Sequence, residues 1–271
     1  MRKPGIIKPL GKTKHIFMAV YGDPGIGKTR FVGTSPGRVL IIRPPQEHMD
    51  SLLPADHARA DGGEIEQAVI KDWDDMHNLL EYLRSDGEEY DWVWIDSLSI
   101  LQDVLLDDIW DTIVHEKPAR ARYGLDKGDF GINMDRISRW LRHIVGPDKF
   151  NFGFTAHGET APSPDLDEDG DPIAKLMPWV QGKGMATKCS GYMNIVALMN
   201  KAAVKGGKDK RAIRTDSSPN FYAKDQFDAF GGRVLDPSMP KVLELIEKSP
   251  GRKARDKSTK RPAKRRTAKR R

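Results

Sequence analysis

The stretch His15-Ile16-Phe17-Met18-Ala19-Val20-Tyr21-Gly22-Asp23-Pro24-Gly25-Ile26-Gly27-Lys28-Thr29 decides the fold of this chain. Its first seven residues are almost wholly apolar, the run of a buried strand, and the last eight match G-x-x-x-x-G-K-[ST] at every fixed position. Glycines let the backbone come close to phosphate oxygens, and N–H groups of the turn and of a helix starting at Lys28 converge on one point. Lys28 brings a point charge to the β and γ phosphates, and the Thr29 hydroxyl is a ligand for Mg2+. Residues Gly22, Asp23, Pro24, Gly25, Ile26, Gly27, Lys28 and Thr29 are therefore the expected binding site for ATP with Mg2+.

Outward from this motif, short apolar runs alternate with amphipathic stretches, the pattern of an α/β fold whose mostly parallel, twisted sheet is flanked by helices. The strand candidates are 15–21, 39–42, 64–70, 91–95, 150–156, 193–199 and 211–215, and helices are expected over 74–84, 98–114 and 133–145. In Tyr90-Asp91-Trp92-Val93-Trp94-Ile95-Asp96-Ser97 an apolar strand ends in an acid. A carboxylate at the C-terminal end of a parallel strand faces the same crevice as the turn after the first strand, so Asp96 is the expected second metal residue. Two connections, 115–132 and 158–187, are longer than a compact fold needs, and such loops usually carry function or disorder.

The 271 residues include 38% hydrophobic and 31% charged side chains, enough apolar content for one core, and a single cysteine, Cys189, which excludes an internal disulfide or a cysteine-rich zinc module. No apolar run reaches the roughly 18 residues of a membrane span, and MRKPGIIKPLGK lacks the features of a signal peptide, so a cytoplasmic, membrane-free setting is expected. The net charge of +6 is unevenly placed. Residues 251–271 hold 12 of the 45 Lys and Arg and one of the 39 acids, leaving 33 bases against 38 acids in the rest. This gives a segment of +11 attached to a body of −5, and with no large apolar side chain it is expected to be disordered and to attract nucleic-acid phosphates. The expected organisation is an N-terminal segment 1–14, a core 15–248 and a basic tail 249–271.

Taken together, the loop at 22–29 and the acid at 96 resemble the RecA-type recombinase core, especially small phage-encoded ATPases that bind single-stranded DNA. The resemblance spans about residues 15–235 and implies further roles. Glu47, in Gln46-Glu47-His48 after the second strand, takes the place of the glutamate that orients the attacking water, although Arg43-Pro44-Pro45 departs from the family pattern just before it. His157, at the end of the strand 150–156, stands where a polar residue senses the γ-phosphate. Lys224, in Phe221-Tyr222-Ala223-Lys224-Asp225-Gln226, resembles the first cation of a Lys-x-Arg element that reaches a neighbouring subunit's nucleotide, with Gln226 in place of the arginine. Catalytic roles for Glu47, His157 and Lys224, a homo-oligomer with ATP between subunits, and single-stranded DNA as partner all follow from this resemblance.

The same resemblance makes the two long connections DNA-binding loops, through Lys117, Arg120, Arg122, Tyr123 and Lys127 in the first and Lys175, Trp179, Lys183 and Lys188 in the second. Basic side chains that track phosphates and aromatics that stack on bases are what sequence-tolerant single-strand binding requires. Annealing or strand exchange is the leading expectation; a ring-forming motor or helicase loader, and a regulatory nucleotide-binding module held on DNA by its tail, are the alternatives. Asp165, Asp167, Asp169 and Gly170 imitate half of a calcium loop, but Leu176 stands where a bidentate glutamate is needed.

Overall fold

The computed structural model describes residues 15–52, 63–147, 149–203 and 208–249. Strand β1 (Phe17–Tyr21) leads through the glycine-rich turn into α1 (Lys28–Gly33), followed by β2 (Val39–Arg43), β3 (Ile65–Val69), α2 (Trp73–Ser85), β4 (Trp92–Ile95) and α3 (Leu98–Glu116). Next come α4 (Pro118–Ala121), α5 (Lys127–Val145), β5 (Asn151–Ala156), a hairpin of β6 (Gly158–Leu166) and β7 (Pro172–Pro178), and α6 (Met185–Gly191). Strands β8 (Ile195–Ala202), β9 (Lys210–Arg214), β10 (Lys224–Asp225) and β11 (Arg233–Leu235) and helix α7 (Met239–Lys248) complete the fold.

The main sheet runs β11-β9-β8-β1-β5-β4-β2-β3, with β10 beside the start of β8. From β8 to β3 every pairing is parallel, while β9, β10 and β11 add antiparallel pairings at one side. This is the mostly parallel, helix-flanked sheet of a RecA-like P-loop core. Sequences such as Val39-Leu40-Ile41-Ile42 and Trp92-Val93-Trp94-Ile95 are apolar at every position because both sheet faces are covered. Tyr21, Ile42, Val93, Ile95, Phe152 and Phe154 pack on the side of α2, α3 and α5. Val20, Ile41, Trp92 and Trp94 face α1 and α7. Helix α7 seals that second side with Met239, Val242 and Ile246, spaced three and four apart and fully buried, each contributing about 1.5–3 kcal/mol of apolar burial.

The parallel arrangement brings the C-terminal ends of β1, β2, β4 and β5 to one edge. Capping then aims the helices. The Asp72 side chain accepts from Asp75 N at 2.7 Å to open α2, and Asp126 and Asp129 form a reciprocal capping box at the start of α5, an arrangement of about 1 kcal/mol per cap.

Both long connections turn out to be structured. In the first, α3 continues to Glu116, α4 starts at Pro118, and α5 begins at Lys127 rather than 133. In the second, β6 and β7 pair antiparallel from Gly158↔Pro178 outward and α6 follows. The expectation of open loops gives way because a Pro opens α4, the Asp126 box opens α5, and the Asp167 side chain accepts from Asp169 N at 3.0 Å and Asp171 N at 2.9 Å to close the hairpin turn. The segment 1–14 and all of the basic tail except Ser249 lie outside the described residues; Ser249 itself is buried.

Cys189 lies in the core between α6 and the sheet, with no exposed surface, and burial pushes its thiol up to about 12. Folded protein should therefore resist thiol reagents at pH 8 and react fully once unfolded by guanidinium; rapid labelling of native protein would show that α6 does not pack as described.

Candidate nucleotide site

Gly22 begins the turn with its N–H donating to Ala156 O on β5 at 3.3 Å. It has to be glycine: its φ is +151°, and a Cβ there would lie 2.2 Å from the Met199 carbonyl oxygen on β8. Gly27, with φ of +106°, precedes α1, and its carbonyl accepts from Phe31 N at 3.0 Å. The turn therefore passes into the helix without side chains crowding the concave side. Lys28 is only 7% exposed. Its ammonium donates to the carbonyl oxygens of Gly22 and Asp23, both at 2.9 Å. Burial lowers its pKa, against the pull of Asp96, Glu47 and Asp23 in the other direction.

Asp96, at the end of β4, is 2% exposed. Thr155, on the intervening strand β5, donates to Oδ1 through its hydroxyl. Oδ2 is buried without a hydrogen-bond partner in the described residues. Burial raises the Asp96 pKa; the Thr155 and Thr29 hydroxyls and Lys28 pull it down, while Glu47 adds to the rise. Thr29 acts here without a hydrogen bond of ordinary geometry to Oδ2. An orphaned carboxylate oxygen facing a threonine hydroxyl and a buried lysine is a donor set suited to a hydrated Mg2+ ion. Asp96 is thus no helix cap, and the capping position of α3 belongs to Ser97.

The Ser97 hydroxyl instead donates to Glu47 Oε1 at 2.9 Å, holding that carboxylate toward the crevice. The Arg43-Pro44-Pro45 departure builds this placement: Arg43 Nη1 donates to Pro44 O at 3.2 Å and Glu47 O at 2.9 Å, so the guanidinium shapes the turn that carries Glu47. His157 N donates to Ser99 Oγ at 2.9 Å, and the Ser99 hydroxyl donates to Trp179 O at 2.8 Å. The imidazole stacks on Trp179, with centroids 6.0 Å apart and planes 16° from parallel. Burial first, and Lys28 second, lower the His157 pKa below the ordinary 6.5; Glu47 acts in the opposite direction.

Lys28, Thr29, Glu47, Asp96 and His157 therefore line a single cavity of about 350 Å3, together with Arg211. Lys224 is elsewhere. It pairs in β10 against Val196, toward the start of β8, and its ammonium donates to Met193 O at 2.7 Å. Sequence reasoning missed Thr155, Ser97, Ser99 and Arg211. Serines following Asp96 and a threonine two before His157 were visible signals; Arg211 had none, because only the pairing of β9 with β8 brings it near. The expected DNA residues also divide. Arg120 is held by Asp126 and Asp129, Lys175 is buried against Asp165, and Trp179 lies on His157. Lys117, Arg122, Lys127, Lys183 and Lys188 are exposed, and Tyr123 is 88% exposed.

Comparison with known proteins matches residues 14–227 to the family described as AAA domain. Among curated proteins there is no match. Solved structures similar to this chain include the RadB recombinase, at 12% identity and a TM-score of 0.44 over 73% of this chain and 79% of that one. Another is the flagellar accessory protein FlaH from Methanocaldococcus jannaschii, at 10% identity and a TM-score of 0.40 over 82% of this chain and 90% of that one.

Two outcomes test this geometry. Lys28→Ala should keep the far-ultraviolet dichroism of the native chain while ATP affinity falls by at least about 10²-fold, the scale of losing one preorganised phosphate partner; full retention of binding would refute the assignment of the loop. His157 should titrate by NMR below 6.5. An unfolded chain takes up that proton near 6.5 while the folded chain refuses it until lower pH, so this contribution to stability is complete above 6.5 and is lost as pH falls through the folded value. His157→Gln should remove that acid-side slope, and a midpoint above 6.5 would contradict the role of burial and Lys28.

Proposed function

The chain belongs to the AAA domain family and has a RecA-like P-loop ATPase core, and from that premise we propose that it is an ATP-hydrolysing, single-stranded DNA-binding protein that promotes annealing or strand exchange. The ATPase unit is residues 15–248, and the basic segment beyond it is an appendage for DNA. The convergence of Lys28, Thr29, Asp96 and Glu47 on one cavity carries the reading of the reaction. The exposed Tyr123, set among Lys117, Arg122 and Lys127, supports the reading of the ligand.

Backbone N–H groups of 25–29 and the Lys28 ammonium bind the β and γ phosphates, which displaces Lys28 from the Gly22 and Asp23 carbonyls. Thr29 and Asp96 would hold Mg2+. When bound, that ion neutralises charge on the phosphate oxygens. Glu47 orients a water toward the γ-phosphorus and accepts its proton as the bond to the ADP oxygen breaks. Neutral His157 hydrogen-bonds to the γ-phosphate side of the cavity. It also begins the β6–β7 hairpin, and Trp179, stacked on it, ends the hairpin, so a shift of the imidazole is transmitted to that element. Lys224, remote from its own cavity, acts on the nucleotide of a neighbouring copy. The α4 corner, about 28 Å along α3 from Ser97, offers an aromatic and three cations to a single strand.

The deciding experiment is ATP turnover titrated with single-stranded and with double-stranded DNA. Stimulation by single strands, with Tyr123→Ala weakening their affinity about tenfold and leaving the DNA-free rate unchanged, is the expected result. Deleting 251–271 should flatten the log–log salt dependence of affinity by up to about 5. A rate indifferent to either DNA would favour a regulatory nucleotide module, and unwinding of a tailed duplex would favour a motor.

A further inference from the structure

Arg211 stands over the phosphate-binding turn by virtue of strand register. Strand β8 pairs with β1 only as far as Tyr21↔Leu198 and then runs on, and β9 returns along this overhang with Lys201 opposite Arg211. Alternation along β9 places Arg211 on the same face as Ile213, which packs in the core cluster with Ile26 and Phe31 around α1. The side chain lies against Gly27: a Cβ on that glycine would be 2.9 Å from Arg211 Nε and 3.1 Å from Cζ. Gly27 thus serves a second purpose, leaving room for a guanidinium at the mouth of the cavity.

That guanidinium differs in its pairing from the other cations of β9 and from Lys28, while Arg30 on α1 shares the cavity lining with it. Lys210 is paired with Asp236 at 2.6 Å, and Arg214 approaches Asp216 at 3.9 Å while lying over the Phe221 ring at 4.4 Å. Lys28, deeper in the cavity, has the pull of Asp96 and Glu47 to offset its charge. Arg211 forms no ion pair and no side-chain hydrogen bond with the described residues, while its carbonyl accepts from Asp236 N at 2.8 Å and anchors the backbone beneath it. A triphosphate brings about four negative charges, more than Lys28 can balance beside two carboxylates. The planar fork of an arginine suits phosphate oxygens bidentately.

Resting on the ATPase reading above, we propose that Arg211 is a phosphate-binding residue supplied by the same subunit, so that each site carries its own guanidinium and does not depend for it on a neighbour. It is exposed and lines the cavity, which places it to engage the triphosphate from the solvent side, whereas Asp96 is buried.

The test is ATP affinity and steady-state turnover of wild type, Arg211→Ala and Arg211→Lys, followed by equimolar mixing of Arg211→Ala with Lys28→Ala. The expected result is a loss in kcat/KM of about 10²-fold in Arg211→Ala, partial recovery in Arg211→Lys, unchanged thermal unfolding without nucleotide, and no recovery on mixing. Turnover restored by mixing would overturn the proposal, since an intact loop in one subunit would then be using the arginine of the other. Wild-type affinity and kcat/KM in a folded Arg211→Ala would also overturn it while leaving the ATPase reading in place. Absence of ATP binding by wild type itself would instead bring down the ATPase reading and this inference with it.

Discussion

A lysine and a carboxylate are buried at the same end of one parallel sheet, and most of the site follows from keeping both there. Lys28 and Asp96 are 7% and 2% exposed, on segments that leave β1 and β4 with β5 between them. Isolated buried charges cost several kcal/mol each, so such groups persist only where partners surround them. The partners are found at each strand end: the Gly22 and Asp23 carbonyls for the ammonium, the Thr155 hydroxyl from the middle strand for the carboxylate, and each charge for the other. One carboxylate oxygen is left over. Asp96 shares its cavity with Lys28 and Thr29, a setting whose donor groups suit a hydrated cation.

Much of this was legible in the sequence because it is local. The glycines, Lys28 and Thr29 lie in eight consecutive residues, and parallel strands buried on both faces advertise themselves as unbroken apolar runs, so Asp96 could be read from Trp92-Val93-Trp94-Ile95. Glu47 and His157 came from likeness to a family pattern, and the structure brings both to the cavity. What was not legible depends on pairing across sequence distance. Arg211 reads as one more charge in a basic stretch until β9 is paired with the overhang of β8. The β6–β7 hairpin was hidden by Pro162, Pro164 and Pro172, which would break a central strand but are tolerated in a two-stranded sheet with open outer edges. Its Asp169-Gly170 turn was the available clue.

The side chains expected to touch DNA differ in how far the fold leaves them free. Arg120 is already paired with Asp126 and Asp129, and Lys175 is buried against Asp165. Trp179, a candidate for base stacking, stacks on His157 and becomes part of the connection between the cavity and the hairpin. What remains exposed, Tyr123 with its neighbouring cations and Lys183 with Lys188, is a smaller and more sharply placed set than the sequence suggested.

The central claim is that the turn at 22–29 and the acid at the end of β4 enclose one magnesium triphosphate. A crystal structure with a non-hydrolysable ATP analogue and Mg2+ tests it most directly. The account predicts phosphates seated on the backbone of Gly25 to Thr29, with the metal between Thr29 and Asp96 Oδ2. An analogue bound away from that turn, or Asp96 facing away from the metal, would contradict it.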